Sequence, residues 1–224
     1  MLIYAVRHGE TEYNTAGLMQ GQLDIPLNEK GRELARLVGE ALADVEFDVV
    51  YTSPLSRAKE TAALLTAPGE KKRGRTVPVI EDDRLKEIDF GDWSGHRFKK
   101  EGFDMPGITP EEFNLFYTDP FHMKHPPHGE TVQDVCVRAG SLLKEMLLDP
   151  ALQDKTVLVS THGCALRAFL RGVYNAPDDY WYGGFAPNCS YTLVRAENGR
   201  TELLERDVVL YDPALSVNLF VPDK

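Results

Sequence analysis

Cysteine is scarce: 224 residues contain only Cys136, Cys164 and Cys189, far apart and in no C-x-x-C pair. An odd, scattered set of this kind excludes a disulfide framework and a thiolate zinc site, and points to a reducing cytoplasm. No stretch approaches the roughly 20 apolar residues that span a bilayer, and the N-terminus has no basic region leading into a long apolar run. A soluble, unexported protein with no membrane partner is expected. Positive charge is also in deficit, with 25 Lys and Arg against 35 Asp and Glu and a net charge of -10. The overall field therefore repels nucleic acid and anionic membrane, and an anionic ligand needs a local cationic pocket. No repeat or low-complexity tract divides the chain, so one globular domain over 1–224 is expected.

What is present alternates between strand and helix signals. Leu2 to Val6 reads as a short buried strand, and 27–47 places Leu34, Leu37, Val38, Ala41 and Leu42 on one helical face behind an Asn28 N-cap. Residues 48–53 read as a second strand. A helix follows with Ser53 as N-cap, Pro54 at the first helical position and Pro68-Gly69 as its stop. A third strand is expected within 76–82. Helical periodicity returns at 131–147, where Thr131 and Asp134 form a capping box, then 156–161 is a strand and 164–174 a helix. A hairpin turns at Asn198-Gly199. Between about 95 and 128 lies an irregular aromatic stretch, with Phe98, Phe103, Phe113, Phe116, Tyr117 and Phe121 and one short helix near 109–117. The pattern predicts an α/β fold of three layers, α/β/α, with a mostly parallel central sheet and a small aromatic lid insertion.

In open α/β sheets ligands bind beyond the carboxyl ends of the strands. The first strand delivers Arg7-His8-Gly9 there, the second Ser53 to Arg57, and the later one Thr161-His162-Gly163. Two arginines, two histidines and two helix starts converging on one crevice suit a compact anion, with phosphate the natural choice. A neutral histidine beside bound phosphate is also a nucleophile, and attack on phosphorus yields a phosphohistidine. The leaving alkoxide then needs a proton, for which Glu87 or Asp89 is in reach by spacing.

Taken together and in order, "VRHGETEYN", "GQLDIPLNEKGRELA", "YTSPLSRAKETA", "LKEIDFGDWSG" and "VSTHGCALRAF" resemble the motifs of histidine phosphatases in the phosphoglycerate mutase-like superfamily. The resemblance covers nearly the whole chain. It implies that His8 is the phosphorylated nucleophile and that Arg7, Arg57 and His162 bind the phosphoryl group. It further implies that Asn14 assists in phosphate binding, that Gln22 touches phosphate or substrate, and that Glu87 rather than Asp89 is the proton donor. The Gly163 N–H is a further candidate phosphate ligand. No cofactor and no metal are implied.

His122, His125 and His128 form an H-x2-H-x2-H run, but two prolines and the lack of partner ligands at useful spacing speak against a metal site. His128 is expected at the pocket mouth instead. The resemblance leaves two reactions open, hydrolysis and mutase-type transfer. The resemblance implies that mutases carry extra basic residues, including an arginine pair, in this insertion, whereas here His96-Arg97, Lys99-Lys100 and Lys124 are scattered among aromatics, which favours hydrolysis of a small phosphomonoester. A non-catalytic binding module is disfavoured because His8, Arg7, Arg57, Glu87 and His162 are all present. The apolar segment 216–221 suits burial against its own domain or against a second copy, so a homodimer is one expectation.

Overall fold

The computed structural model describes residues 1–174 and 179–215. The described strands are β1 (Leu2–Arg7), β2 (Val49–Thr52), β3 (Val79–Glu81), β4 (Thr156–Thr161), β5 (Tyr191–Glu197) and β6 (Arg200–Val208). They form a sheet of order β3-β2-β4-β1-β5-β6. The pairs β3/β2, β2/β4 and β4/β1 are parallel, whereas β5 runs antiparallel to both β1 and β6. The described helices are α1 (Glu12–Ala16), α2 (Glu29–Ala41), α3 (Ser56–Arg73), α4 (Pro110–Phe113), α5 (Leu115–Thr118), α6 (Val132–Leu148) and α7 (Gly163–Leu170).

Side chains of a strand alternate between faces, and here each face has its own core. Ile3 and Ala5 of β1 and Val157 and Val159 of β4 pack with α6, α7 and the aromatic segment. Tyr4, Val6 and Leu158 face the other way, onto Leu34, Ala35 and Val38 of α2 and Ala62 and Leu65 of α3. This is the expected three-layer arrangement. The aromatic segment does more than cover the sheet: Phe113 and Phe116 are buried within the larger core, and Phe116 meets Phe90 and Trp181 edge to face. Among the described residues no helix is long and apolar enough to cross a membrane.

Several local expectations are corrected. The buried stripe of α2 is Leu34, Ala35, Val38 and Leu42, while Leu37 and Ala41 are exposed, because the helix turns the next position toward the sheet. The α3 helix starts at Ser56 rather than after a Ser53 cap. Its first free N–H, on Ser56, is taken by the Asp24 carboxylate at 2.7 Å, a cap supplied from another part of the chain. Nor does α3 stop at Pro68-Gly69; it runs through Pro68 to Arg73 and ends on Gly74 in the left-handed conformation. Pro68 cannot bond the Leu64 carbonyl, and that oxygen instead presses against Gly39 of α2, where a Cβ would stand only 2.5 Å away. The helix near 109–117 divides at Asn114 into α4 and α5, with a Thr109/Glu112 capping box opening the first. β3 is reduced to three exposed residues at the sheet edge. The Asn198-Gly199 hairpin is as expected, both residues having positive φ. Residues 216–221 lie outside the described residues.

Candidate active site

The strand ends bring their charged residues into one place. The rings of His8 and His162 lie 5.1 Å apart, centroid to centroid, although 153 positions of chain separate them. β1 and β4 are neighbours with Arg7 paired to Thr161, so the next residue of each strand leaves the sheet at the same edge. The main chain there is pinned tightly. His8 N–H donates to Thr161 O, Asn188 Nδ2 donates to His8 O, and Gly9 N–H donates to Thr61 Oγ1, whose own proton goes to Arg57 O. Close approach is also built in on the α2 side, where a Cβ at Gly31 would stand 2.1 Å from the Glu10 carbonyl.

Hydrogen bonds assign the two imidazoles different tautomers. His8 Nδ1 lies 2.6 Å from the Gly9 carbonyl, which can only accept, so Nδ1 carries the proton and Nε2 keeps its lone pair. At His162, Arg57 Nε donates to Nδ1 at 3.1 Å, so the proton sits on Nε2 and donates to Ser53 Oγ at 2.8 Å. Both rings are buried. Burial, and then the nearby Arg57 and Arg7 charges, hold His8 well below the ordinary histidine value. Burial and then Arg57 do the same to His162. A neutral His8 with a free Nε2 is the form a nucleophile requires.

The guanidiniums are held rather than loose. Arg57 is fully buried and donates to the carbonyls of Leu23 and Gly21 as well as to His162. Burial lowers its pKa to about 10, so it stays charged at neutral pH. Arg7 donates to the Ala186 carbonyl at 2.5 Å, while its buried Nε finds no acceptor among the described residues. An orphaned cationic donor of this kind fits an anion oxygen.

Glu87 shares a cavity wall with Arg7, whereas His8, Arg57 and His162 are not among the residues lining that cavity. Glu87 Oε2 accepts from Cys164 N–H at 3.2 Å and its Oε1 from Ala165 N–H at 3.0 Å, so the carboxylate caps the start of α7. A Cβ at Gly163 would stand 3.7 Å from Glu87 Oε2 and 3.8 Å from Arg7 Nε, which places that glycine between the two groups. Asp89, the alternative carboxylate, turns into its own loop, with Oδ1 on Gly91 N–H.

A cavity of about 90 Å³ opens onto Arg7, Asn14, Glu87 and Cys164 and is otherwise walled by Leu18, Met19, Gln20, Phe90, Phe98, Phe116, Tyr117 and Phe185. Asn14 Oδ1 accepts from Thr11, leaving its NH2 group as the available donor. Gln22 does not line this cavity: its Nε2 donates to the Glu87 carbonyl and to Glu130, behind the carboxylate. Gln20 stands at the wall in its place. His128 is exposed, pairs with Asp92 at 3.1 Å and is not part of the wall. His122 pairs separately with Asp119, and among the described residues no three His, Cys, Asp or Glu side chains are placed to share a metal ion. A larger, open depression of about 620 Å³ over the β5/β6 hairpin contains none of the candidate site residues.

Sequence reasoning did not single out Ser53 as the partner of His162, Phe185 as a wall residue, or Arg138 and Glu130 behind Glu87. Spacing carries no signal for such contacts. Arg138 in particular reads as an ordinary cation on the periodic helix α6.

Comparison with known proteins identifies the family. A family model described as the histidine phosphatase superfamily (branch 1) matches residues 3–208. Phosphoserine phosphatase 1 of Hydrogenobacter thermophilus is 30% identical over 92% of this chain and 92% of its own. A 2,3-bisphosphoglycerate-dependent phosphoglycerate mutase 2 of Gloeobacter violaceus is 33% identical over 75% of this chain and 74% of its own. Among solved structures, Bacillus stearothermophilus YhfR superposes with a TM-score of 0.79 at 32% identity, covering 93% of this chain and 97% of that one. On the length of these matches, this chain belongs to the histidine phosphatase superfamily.

Proposed function

We propose that the chain hydrolyses phosphomonoesters in two displacements. In the first, His8 Nε2 attacks phosphorus and the ester P–O bond breaks. Arg7, Arg57 and the Gly163 N–H hold the phosphoryl oxygens, with Asn14 assisting and His162 joining them by turning its Nε2–H from Ser53 Oγ to an oxygen, and the Glu87 carboxyl gives its proton to the leaving oxygen. In the second, the Glu87 carboxylate takes a proton from water, whose oxygen attacks phosphorus and releases His8 and inorganic phosphate. The observation that carries the reading is the His8 tautomer: a buried, neutral ring with Nδ1–H spent on Gly9 and Nε2 free, 5.1 Å from the second imidazole. Gln22 serves this scheme as a support of the Glu87 main chain.

Relatives of the chain include enzymes named as phosphatases and as mutases. The surroundings of the cavity favour hydrolysis. Arg97 donates to the Ala16 carbonyl, Lys124 to the Gly107 carbonyl, and Lys99 lies along Gly17, so none of these cations lines the wall. A phosphoglycerate carboxylate finds aromatic rings there instead, which suit an uncharged organic part. The free thiols Cys136, Cys164 and Cys189 support a reducing, cytoplasmic setting.

The test is turnover of p-nitrophenyl phosphate in the presence of EDTA, with acid quenching to trap the phosphoenzyme. Release of nitrophenolate and an acid-labile phosphoryl group on His8 are expected, with no isomerisation of 3-phosphoglycerate when its bisphosphate primer is supplied. Absence of release overturns the catalytic reading, and efficient isomerisation overturns the choice of hydrolysis.

A further inference from the structure

The segment that carries Glu87 has little regular structure of its own beyond a single turn at Asp83–Leu85, yet its main chain is tied down at nearly every residue. The ties converge on Arg138 of α6. Its NH1 donates to the carbonyls of Arg84 at 2.9 Å and Lys86 at 2.6 Å, and its NH2 to the carbonyl of Glu87 itself at 2.9 Å. Its remaining donors go bidentately to Glu130, at 2.8 Å from both Nε and NH2. Glu130 then reaches past Glu87 to accept from Asp89 N–H at 2.9 Å. The pair thus grips the chain on both sides of Glu87, leaving the carboxylate to settle on the Cys164 and Ala165 N–H groups.

We infer that Arg138, oriented by Glu130, is a positioning residue for proton transfer by Glu87. The inference rests on the reading of Glu87 as the acid. Planar guanidinium geometry matters here, because one head group must satisfy three carbonyls and a carboxylate at once, which a point charge on a flexible stem does only in part. Proton transfer is sensitive to such support, since the acid has to lie within hydrogen-bond reach of the leaving oxygen, and a shift of about 1 Å costs on the order of 100-fold.

The experiment compares kcat/KM for p-nitrophenyl phosphate and benzyl phosphate, two single-ring esters whose leaving groups differ greatly in basicity. The aryl-to-benzyl ratio is taken within one preparation, so any unfolded fraction cancels. Arg138→Met is expected to raise this ratio about 10- to 100-fold, in the direction set by Glu87→Gln, and to add nothing further in the Glu87→Gln background. Arg138→Lys is expected to restore part of the benzyl phosphate activity. Should Arg138→Met fail to give soluble protein, Glu130→Gln and Arg138→Lys carry the same comparison with smaller shifts in the same direction. If Glu87→Gln raises the ratio and the Arg138 and Glu130 variants slow both substrates equally, the positioning role is overturned while the acid stands. If Glu87→Gln leaves the ratio unchanged, the acid assignment itself falls.

Discussion

Gly163→Ala separates the fold from the chemistry more sharply than removal of a catalytic side chain. The added methyl meets Phe185, Glu87 Oε2 and Arg7 Nε at 3.6, 3.7 and 3.8 Å, ordinary contacts that require nothing to move in the free protein. Gly163 opens α7 and has no positive φ, so alanine there is compatible with the backbone and removes freedom from the unfolded chain. The expected gain is about 0.4–1 kcal/mol, or a rise in Tm of roughly 1–4 °C for a chain of this size. Catalysis moves the other way. A phosphoryl oxygen about 2.9 Å from Arg7 Nε that lies toward Gly163, as the proposed contact with the Gly163 N–H has it, comes within the roughly 3.3 Å limit of a methyl 3.8 Å from Nε and is displaced. A displacement on the order of 1 Å at the reacting group lowers kcat/KM by about 100-fold. Steady-state assays with p-nitrophenyl phosphate, inhibition by inorganic phosphate and a thermal melt are sufficient. Unchanged kcat/KM together with unchanged phosphate inhibition refutes the placement of the anion between Arg7 and Glu87.

His8→Ala should abolish turnover and phosphoenzyme formation while leaving the far-UV circular dichroism intact; a wild-type rate counts decisively against His8 as nucleophile. Stability should fall as pH drops below 6.5, because the unfolded chain then binds protons that buried His8 and His162 refuse, the cause being burial first and the Arg57 charge next. The slope is up to about 1.4 kcal/mol per pH unit for each histidine, and above the ordinary value of 6.5 these rings contribute none. Urea unfolding from neutral to mildly acidic pH checks this, with a shallower slope expected for His8→Ala; identical slopes refute it. Gly31→Ala forces a Cβ to within 2.1 Å of the Glu10 carbonyl and 2.6 Å of its N–H nitrogen, both main-chain atoms that cannot swing aside. A loss of roughly 3 kcal/mol, or about 6–12 °C in Tm, is expected by calorimetry, and an unchanged melt refutes the packing argument.

The layered sheet, the hairpin and the meeting of His8 with His162 were legible because each depends on signals close in sequence: apolar periods, a capping residue, an Asn-Gly turn, and strands whose ends lead into Arg-His-Gly or Thr-His-Gly. The ends of α3 were not legible. Its cap comes from Asp24, and its passage through Pro68 depends on Gly39 of another helix. Nor did spacing reveal that Gln20 rather than Gln22 stands at the cavity wall, since adjacent loop positions differ only in which way the chain turns.

Local periodicity and end signals by themselves determined which segments become strands and helices and which residues arrive at the strand ends, because those choices rest on contacts within a few positions. Tertiary structure alone decided the protonation pattern of the two imidazoles, the seat of Glu87 on α7 and its support by Arg138. Each of those depends on a donor meeting an acceptor from a distant part of the chain, as Arg57 meets His162, and only the packing of whole elements against one sheet sets such a distance.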